Sequence, residues 1–108
     1  MDTTTKQGRT TAIVAYFTIV GSLIAITMNL EPKNTYARFH IRQAFGIHLF
    51  FHALAIVLTF LQIGIASLLL YLIYLLLWGY GCLAAINGKK TPVPLLGNYF
   101  QKWFTFIQ

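Results

Sequence analysis

The stretch QAFGIHLFFHALAIVLTFLQIGIASLLLYLIYLLLWGYGCLAAING, residues 43–88, decides the fold: from Arg42 to Lys89 there are 46 residues without one Asp, Glu, Lys or Arg. A hydrocarbon core of about 30 Å takes roughly 20 helical residues, so one unbroken helix here would overshoot it about twofold. In lipid every backbone N–H and C=O must be bonded within the protein, which makes helices the reading. Two spans fit, at about residues 43–62 and 66–87, with a tight turn where Gln62, Gly64 and Ser67 weaken the apolar run. Upstream, the 21 residues between Arg9 and Glu31 are also free of charge and fit one further span at about residues 11–28. The sequence thus predicts an all-α membrane protein, one domain over residues 1–108, with three transmembrane helices.

Composition agrees. The chain is 57% hydrophobic and only 9% charged, where an ordinary soluble domain is about 25% charged. Too little charge is present to cover a water-exposed globule, and too much apolar content for a disordered segment. Eight Lys+Arg against two Asp+Glu leave a net charge of +6. So few cations, spread along so apolar a chain, suit anionic lipid headgroups and not nucleic acid. The single cysteine, Cys82, cannot form an internal disulfide and reads as a buried structural thiol. Lys6 and Arg9 resemble the basic start of a signal peptide. The apolar stretch after them is longer than such a peptide uses, and Ala25-Ile26-Thr27 is a poor cleavage pattern, so the segment is expected to stay as an anchor.

Three crossings would put Lys6 and Arg9 on one side, and Lys33, Arg38, Arg42, Lys89, Lys90 and Lys102 on the other. By the positive-inside rule this predicts an N-terminus outside and a C-terminus in the cytoplasm, in a bacterial inner membrane. In the first stretch Thr18, Gly21, Ser22 and Ala25 form a small-residue stripe at i, i+3, i+4 and i+7, the pattern of a helix packing face. This helix should stop near Asn29, with Pro32 just beyond it. Gly81 and Ala85 make a second, weaker small-residue pair. Pro92-Val93-Pro94 forbids helix continuation. Beyond it, Leu96, Tyr99, Phe100, Trp103, Phe104, Phe106 and Ile107 share one side of a helical wheel. Asn98, Gln101, Lys102, Thr105 and Gln108 share the other. An amphipathic helix over about 95–107 is too short to cross. It is expected in the headgroup plane, with a lid across the bundle end as the alternative.

The segment Asn34-Thr35-Tyr36-Ala37-Arg38-Phe39-His40-Ile41-Arg42-Gln43 leads straight into the second span. Asn34 or Thr35 can cap a helix beginning near residue 35. Arg38 and Arg42, at i,i+4, share a face, and cations at a helix start oppose its dipole, so a partner is required. Lipid phosphate, Glu31 and the C-terminal segment are the candidates. Deeper, His48 and His52 are also i,i+4. They could share a metal or hold a haem iron, but no acidic residue or second cysteine lies in any span to complete a shell. Hydrogen bonds to neighbouring helices fit them better, and no metal or cofactor is expected. As ionisable groups inside a membrane they remain functional candidates. Enzyme readings fail on inventory. No Ser-His-acid set, Gly-rich phosphate loop, Cys-x-x-Cys or His-Glu-x-x-His is present. A small proton-coupled antiporter would need an embedded carboxylate, which the spans lack.

The string Tyr36-Ala37-Arg38-Phe39-His40-Ile41-Arg42-Gln43-Ala44, after a first apolar stretch and a Pro-containing loop, resembles a family of small prokaryotic membrane proteins. They are related to the import-channel subunit of the chloroplast inner-envelope translocon. The late Ala-Ile-Asn-Gly-Lys segment, followed by proline and a short amphipathic end, is similar to them too. The resemblance implies that His40 and Gln43 are the marked positions; with the small-residue faces, the basic entry to the second span and the missing catalytic inventory, the expectation is a non-enzymatic subunit of the translocon type, acting in assembly, translocation or a larger complex. Self-association or other membrane proteins are the partners expected. A small oligomeric pore or transporter is the second reading, and a histidine-ligated haem or metal protein the third.

Overall fold

A computed structural model describes residues 3–31, 33–94 and 96–107. Pro32, Leu95 and Gln108, which enter the expectations above, lie outside the described residues. Among those described there are five helices and no strand: α1 (Thr3–Phe17), α2 (Ile19–Met28), α3 (Thr35–Leu61), α4 (Gly64–Ile86) and α5 (Gly97–Trp103).

The long charge-free stretch forms an antiparallel pair. Asn34 caps α3, its side chain accepting the Ala37 N–H at 2.9 Å. The helix then runs 27 residues to Leu61, about 40 Å at 1.5 Å per residue. Gln62 ends it in the left-handed conformation (φ 58°), its N–H returning to the carbonyls of Leu58 and Thr59. After Ile63, α4 runs back for 23 residues. It stops at an Asn87-Gly88 cap, where Gly88 takes φ 73° and Lys89 N–H reaches the Ala84 carbonyl at 2.8 Å. This left-handed glycine cap satisfies the last carbonyls and turns the chain sharply. Both helices are long and apolar enough to cross a membrane.

The first charge-free stretch does not make a third span. Among the described residues there are two candidate spans, because the helix breaks at Thr18 (φ −155°, ψ 176°) and folds back on itself. Ser22 Oγ donates to the Ala15 carbonyl at 2.8 Å, seven residues earlier, which a continuous helix would hold out of reach. Thr18 caps α2 by accepting the Gly21 N–H at 3.1 Å. Gly21 lies so close to α1 that a Cβ there would sit 2.4 Å from the Val14 carbonyl oxygen. The small-residue stripe therefore lines the seam between α1 and α2. At the far end of this hairpin, Asn34 Nδ2 donates to the Thr4 carbonyl at 2.8 Å, and Asn34 N–H donates to Asn29 Oδ1 at 3.0 Å. The start of α1, the end of α2 and the start of α3 thus meet at one point. The hairpin enters and leaves at the same end of the α3–α4 pair. The arrangement with opposite chain ends needs an odd number of crossings, which two candidate spans do not supply.

Most of the core lies at this end, and Phe51 and Leu70 carry it on along the seam between α3 and α4. Tyr16, Tyr36, Ile41, Ile47, Phe100 and Ile107 are buried at this end. The outer faces of the distal halves of α3 and α4 stand bare, with Phe60 83% and Ile65 74% exposed. The molecule is 47 Å along its longest axis, comparable to the 40–45 Å of a bilayer with its headgroups. The amphipathic end forms a shorter helix than the wheel predicts. It packs against α3: Phe100 is buried where Gly46 has no side chain, and Phe104 meets Phe45 edge-on at 5.1 Å. Tyr99 and Trp103 remain exposed on the outer side.

Candidate functional site

One buried polar network joins α1, α3 and the segment after α4. His40 and Gln43 lie one turn apart on the inward face of α3, both fully buried. The glycine cap after α4 delivers the carbonyl of Lys89 to His40 Nε2 at 2.7 Å. A carbonyl only accepts, so Nε2 carries the ring proton and Nδ1 is an acceptor. Tyr16 O–H, 2.6 Å from Nδ1, must then be the donor. The Tyr16 oxygen in turn accepts from Gln43 Nε2 at 2.9 Å. Gln43 spends its other groups on the chain past the helix: Oε1 accepts Val93 N–H at 2.8 Å, and Nε2 faces the Thr91 carbonyl at 3.4 Å. Every proton has one place to go. The His40 ring is also enclosed edge-on by Tyr16, Tyr36 and Phe39, with centroids 5.5, 4.9 and 5.1 Å away.

Around this centre the other motif residues tie down the C-terminal segment. Arg42 Nε donates to the Ile107 carbonyl at 2.9 Å, and a terminal nitrogen faces the Thr105 carbonyl at 3.4 Å. The partner that Arg42 requires is thus the C-terminal segment. The Phe39 carbonyl accepts from Gln101 at 2.8 Å, and Lys90 Nζ stands 5.8 Å from the Phe39 ring centroid. Arg38, one turn before Arg42, is half-buried. Tyr36 O–H donates to the Ala85 carbonyl at 2.7 Å. Gly81 admits the Tyr16 ring, since a Cβ there would lie 2.6 Å from it. Ala85 beside it is fully buried.

His48 and His52 belong to a second, shallower site. His48 Nδ1 pairs with the Tyr74 hydroxyl, which also lies 3.4 Å from His52 Nε2. The two imidazoles stack with centroids 6.3 Å apart. His48 Nε2 is buried without a well-formed hydrogen bond and faces the Ala15 and Tyr16 carbonyls at the open end of α1. Trp78 Nε1 donates to that same Tyr16 carbonyl. Non-helical backbone at membrane depth is tolerated where neighbouring groups satisfy it. Ser22, Trp78 and Thr18 do so here. Beside the break lies an open groove of about 320 Å³, lined by Phe17, His48, Tyr71, Tyr74, Leu75 and Trp78. Among the described residues no three His, Cys, Asp or Glu gather, so the imidazole pair would need other donors to hold a metal.

Sequence reasoning singled out His40, Gln43, His48 and His52 but missed Tyr16, which completes the His40–Gln43 centre, and Tyr74 and Trp78, which bond His48 and the Tyr16 carbonyl at the second site. The available signal was chemical: a phenol or indole inside an apolar helix carries a donor that must be bonded.

No family model matches the chain, and no solved structure matches it. It is similar to a UPF0132 membrane protein of Methanocaldococcus jannaschii, at 28% identity over 81 residues, covering 73% of this chain. The match takes in 58% of that protein, so the chain spans under two thirds of the relative's length. The likeness is to a membrane protein of that group and carries no link to the chloroplast translocon.

Proposed function

We propose that this chain is a non-enzymatic two-span protein of the prokaryotic cytoplasmic membrane that acts as a structural subunit of a larger membrane assembly, in the manner of a translocon subunit. The observation that carries this reading is the consumption of the His40–Gln43 centre by its own fold. Each polar atom there is bonded to Tyr16, Lys89, Thr91 or Val93, which leaves no free acid, base or nucleophile for a substrate. The archaeal relative is a membrane protein by name, which supports the location. The exposed outer faces of the distal halves of α3 and α4 are surfaces on which other helices can pack. Because apolar burial gives no net drive between helices in lipid, such contacts would rest on close packing. The test is crosslinking in native membranes followed by identification of the captured proteins. Reproducible capture of membrane partners or of a second copy is expected. A strict monomer, both in crosslinked membranes and in mild detergent, would overturn the reading.

The groove beside His48 favours a second reading, a small pore or transporter built by several copies. Two spans and a short hairpin enclose no path alone. Solute flux into liposomes that is lost on His48→Ala would support it, and absence of flux from the intact protein would remove it.

A further inference from the structure

We infer that the end of the molecule holding the His40–Gln43 centre is a single surface for the anionic phospholipid headgroups of one leaflet, and that α1–α2 is a re-entrant hairpin dipping into that leaflet, so both chain ends lie on the cytoplasmic side. The inference rests on the membrane reading above and adds the topology and the lipid class.

Three observations carry it. First, the Asn34 bonds to Thr4 and Asn29 close the base of the hairpin at the start of α3. The N-terminal residues therefore emerge where Lys89 follows α4. Second, the hairpin tip stops early. Phe17 lines the groove with His48, six residues beyond Arg42, and that is about 9 Å of helix. A segment crossing a core of about 30 Å would have to go on far past that level. Its freed backbone is satisfied by Ser22, Thr18 and Trp78 at the tip. Third, the fold gathers the charge. Lys6 and Arg9 on α1, Lys33, Arg38 and Arg42 around the start of α3, Lys89 and Lys90 after α4, and Lys102 on α5 all sit at this end. The opposite tip, from Thr59 to Ser67, has none. A distribution of eight cations against zero is more one-sided than the six against two read along the unfolded sequence, and it moves the N-terminus to the inside. Exposed Tyr99 and Trp103 join the same level, where aromatic residues anchor proteins to the interface. Headgroups of the anionic leaflet complement such a surface in charge and depth.

The topology is tested with single cysteines on a Cys82→Ser background: Thr4→Cys, Asn98→Cys and Ile65→Cys. A membrane-impermeant maleimide is applied to spheroplasts and to inverted vesicles. Thr4→Cys and Asn98→Cys should label only in inverted vesicles, and Ile65→Cys only in spheroplasts. Labelling of Thr4→Cys and Asn98→Cys from opposite faces, or of both from outside, overturns the inference. If the protein instead left the membrane pellet without detergent, the membrane reading itself would fail. The lipid class is tested in nanodiscs of phosphatidylcholine with and without phosphatidylglycerol. Thermal unfolding should shift upward with the anionic lipid, and the shift should vanish in high salt. Equal unfolding temperatures in both discs overturn the headgroup assignment.

Discussion

Tyr16→Phe removes one oxygen atom from the centre of the network and changes nothing else in shape. It takes away the donor that faces His40 Nδ1 at 2.6 Å and the acceptor that receives Gln43 Nε2 at 2.9 Å. The mutation thus leaves an acceptor on His40 and an N–H on Gln43 without their partner, both on fully buried residues. A buried group left unsatisfied costs about 1–3 kcal/mol. Gln43 can lean further on the Thr91 carbonyl, now 3.4 Å away, and recover part of its share. The expected loss is therefore about 2–4 kcal/mol. The competing estimate treats this as an average hydrogen bond between helices in a membrane, worth about 0.6 kcal/mol, because the unfolded chain also finds partners there. The enclosed position of the network decides for the larger figure. Cys82 supplies the assay. It is the single cysteine, half-buried on α4 one residue from Gly81, so a thiol-reactive dye reports unfolding of the detergent-solubilised protein. A loss at or below about 0.6 kcal/mol would refute the claim that the network is sealed and tightly bonded.

Gly81→Ala should lower stability in the same assay, because its Cβ would sit 2.6 Å from the Tyr16 ring, and its effect should add poorly to that of Tyr16→Phe. Full additivity of the two would show that the ring and the network are independent. Gly46→Ala puts a Cβ 2.4 Å from the Phe100 ring and should release the C-terminal segment while α3 and α4 stay intact. Faster limited proteolysis after residue 94, with unchanged helix content by circular dichroism, is the expected result. Gln62→Gly relieves a left-handed residue at φ 58° and should stabilise the α3–α4 turn by about 0.5–1 kcal/mol, read as a higher midpoint of unfolding. A lower midpoint would show that the Gln62 side chain contributes more than its backbone costs.

The α3–α4 pair was legible because charge gaps measure length, and length against bilayer thickness decides how many times an uncharged run must turn. The same ruler misread residues 11–28. Hydropathy counts apolar residues but does not register that Gly21 and Ser22 let two short arms touch, or that Thr18 can cap a new helix. The stripe Thr18, Gly21, Ser22 and Ala25 was visible as a packing face; its partner, the preceding fifteen residues, was not. At the site, His40 and Gln43 stood out by type and placement. Apart from the Tyr16 hydroxyl, their partners are backbone atoms of Lys89, Thr91 and Val93, some fifty positions later. Every residue has such atoms, so no side-chain pattern marks them. The wheel of the C-terminal segment was sound in period, yet it could not say whether protein or lipid lay beneath. Gly46, an absent side chain on another helix, settled that for Phe100.

The order in which the partners are synthesised has a consequence for biogenesis. Tyr16 leaves the ribosome long before Trp78 can cover its carbonyl or Val93 can engage Gln43. During that interval the N-terminal hairpin has only α3 to lean on, and while Ser22 and Thr18 already hold the break, the Tyr16 carbonyl faces lipid or an insertion machine without its Trp78 donor. Closure of the network is thus a late event, reached only when residues 89–93 arrive. A nascent chain arrested before residue 89 should present a frayed hairpin to membrane proteases, whereas one that extends past residue 93 conceals it.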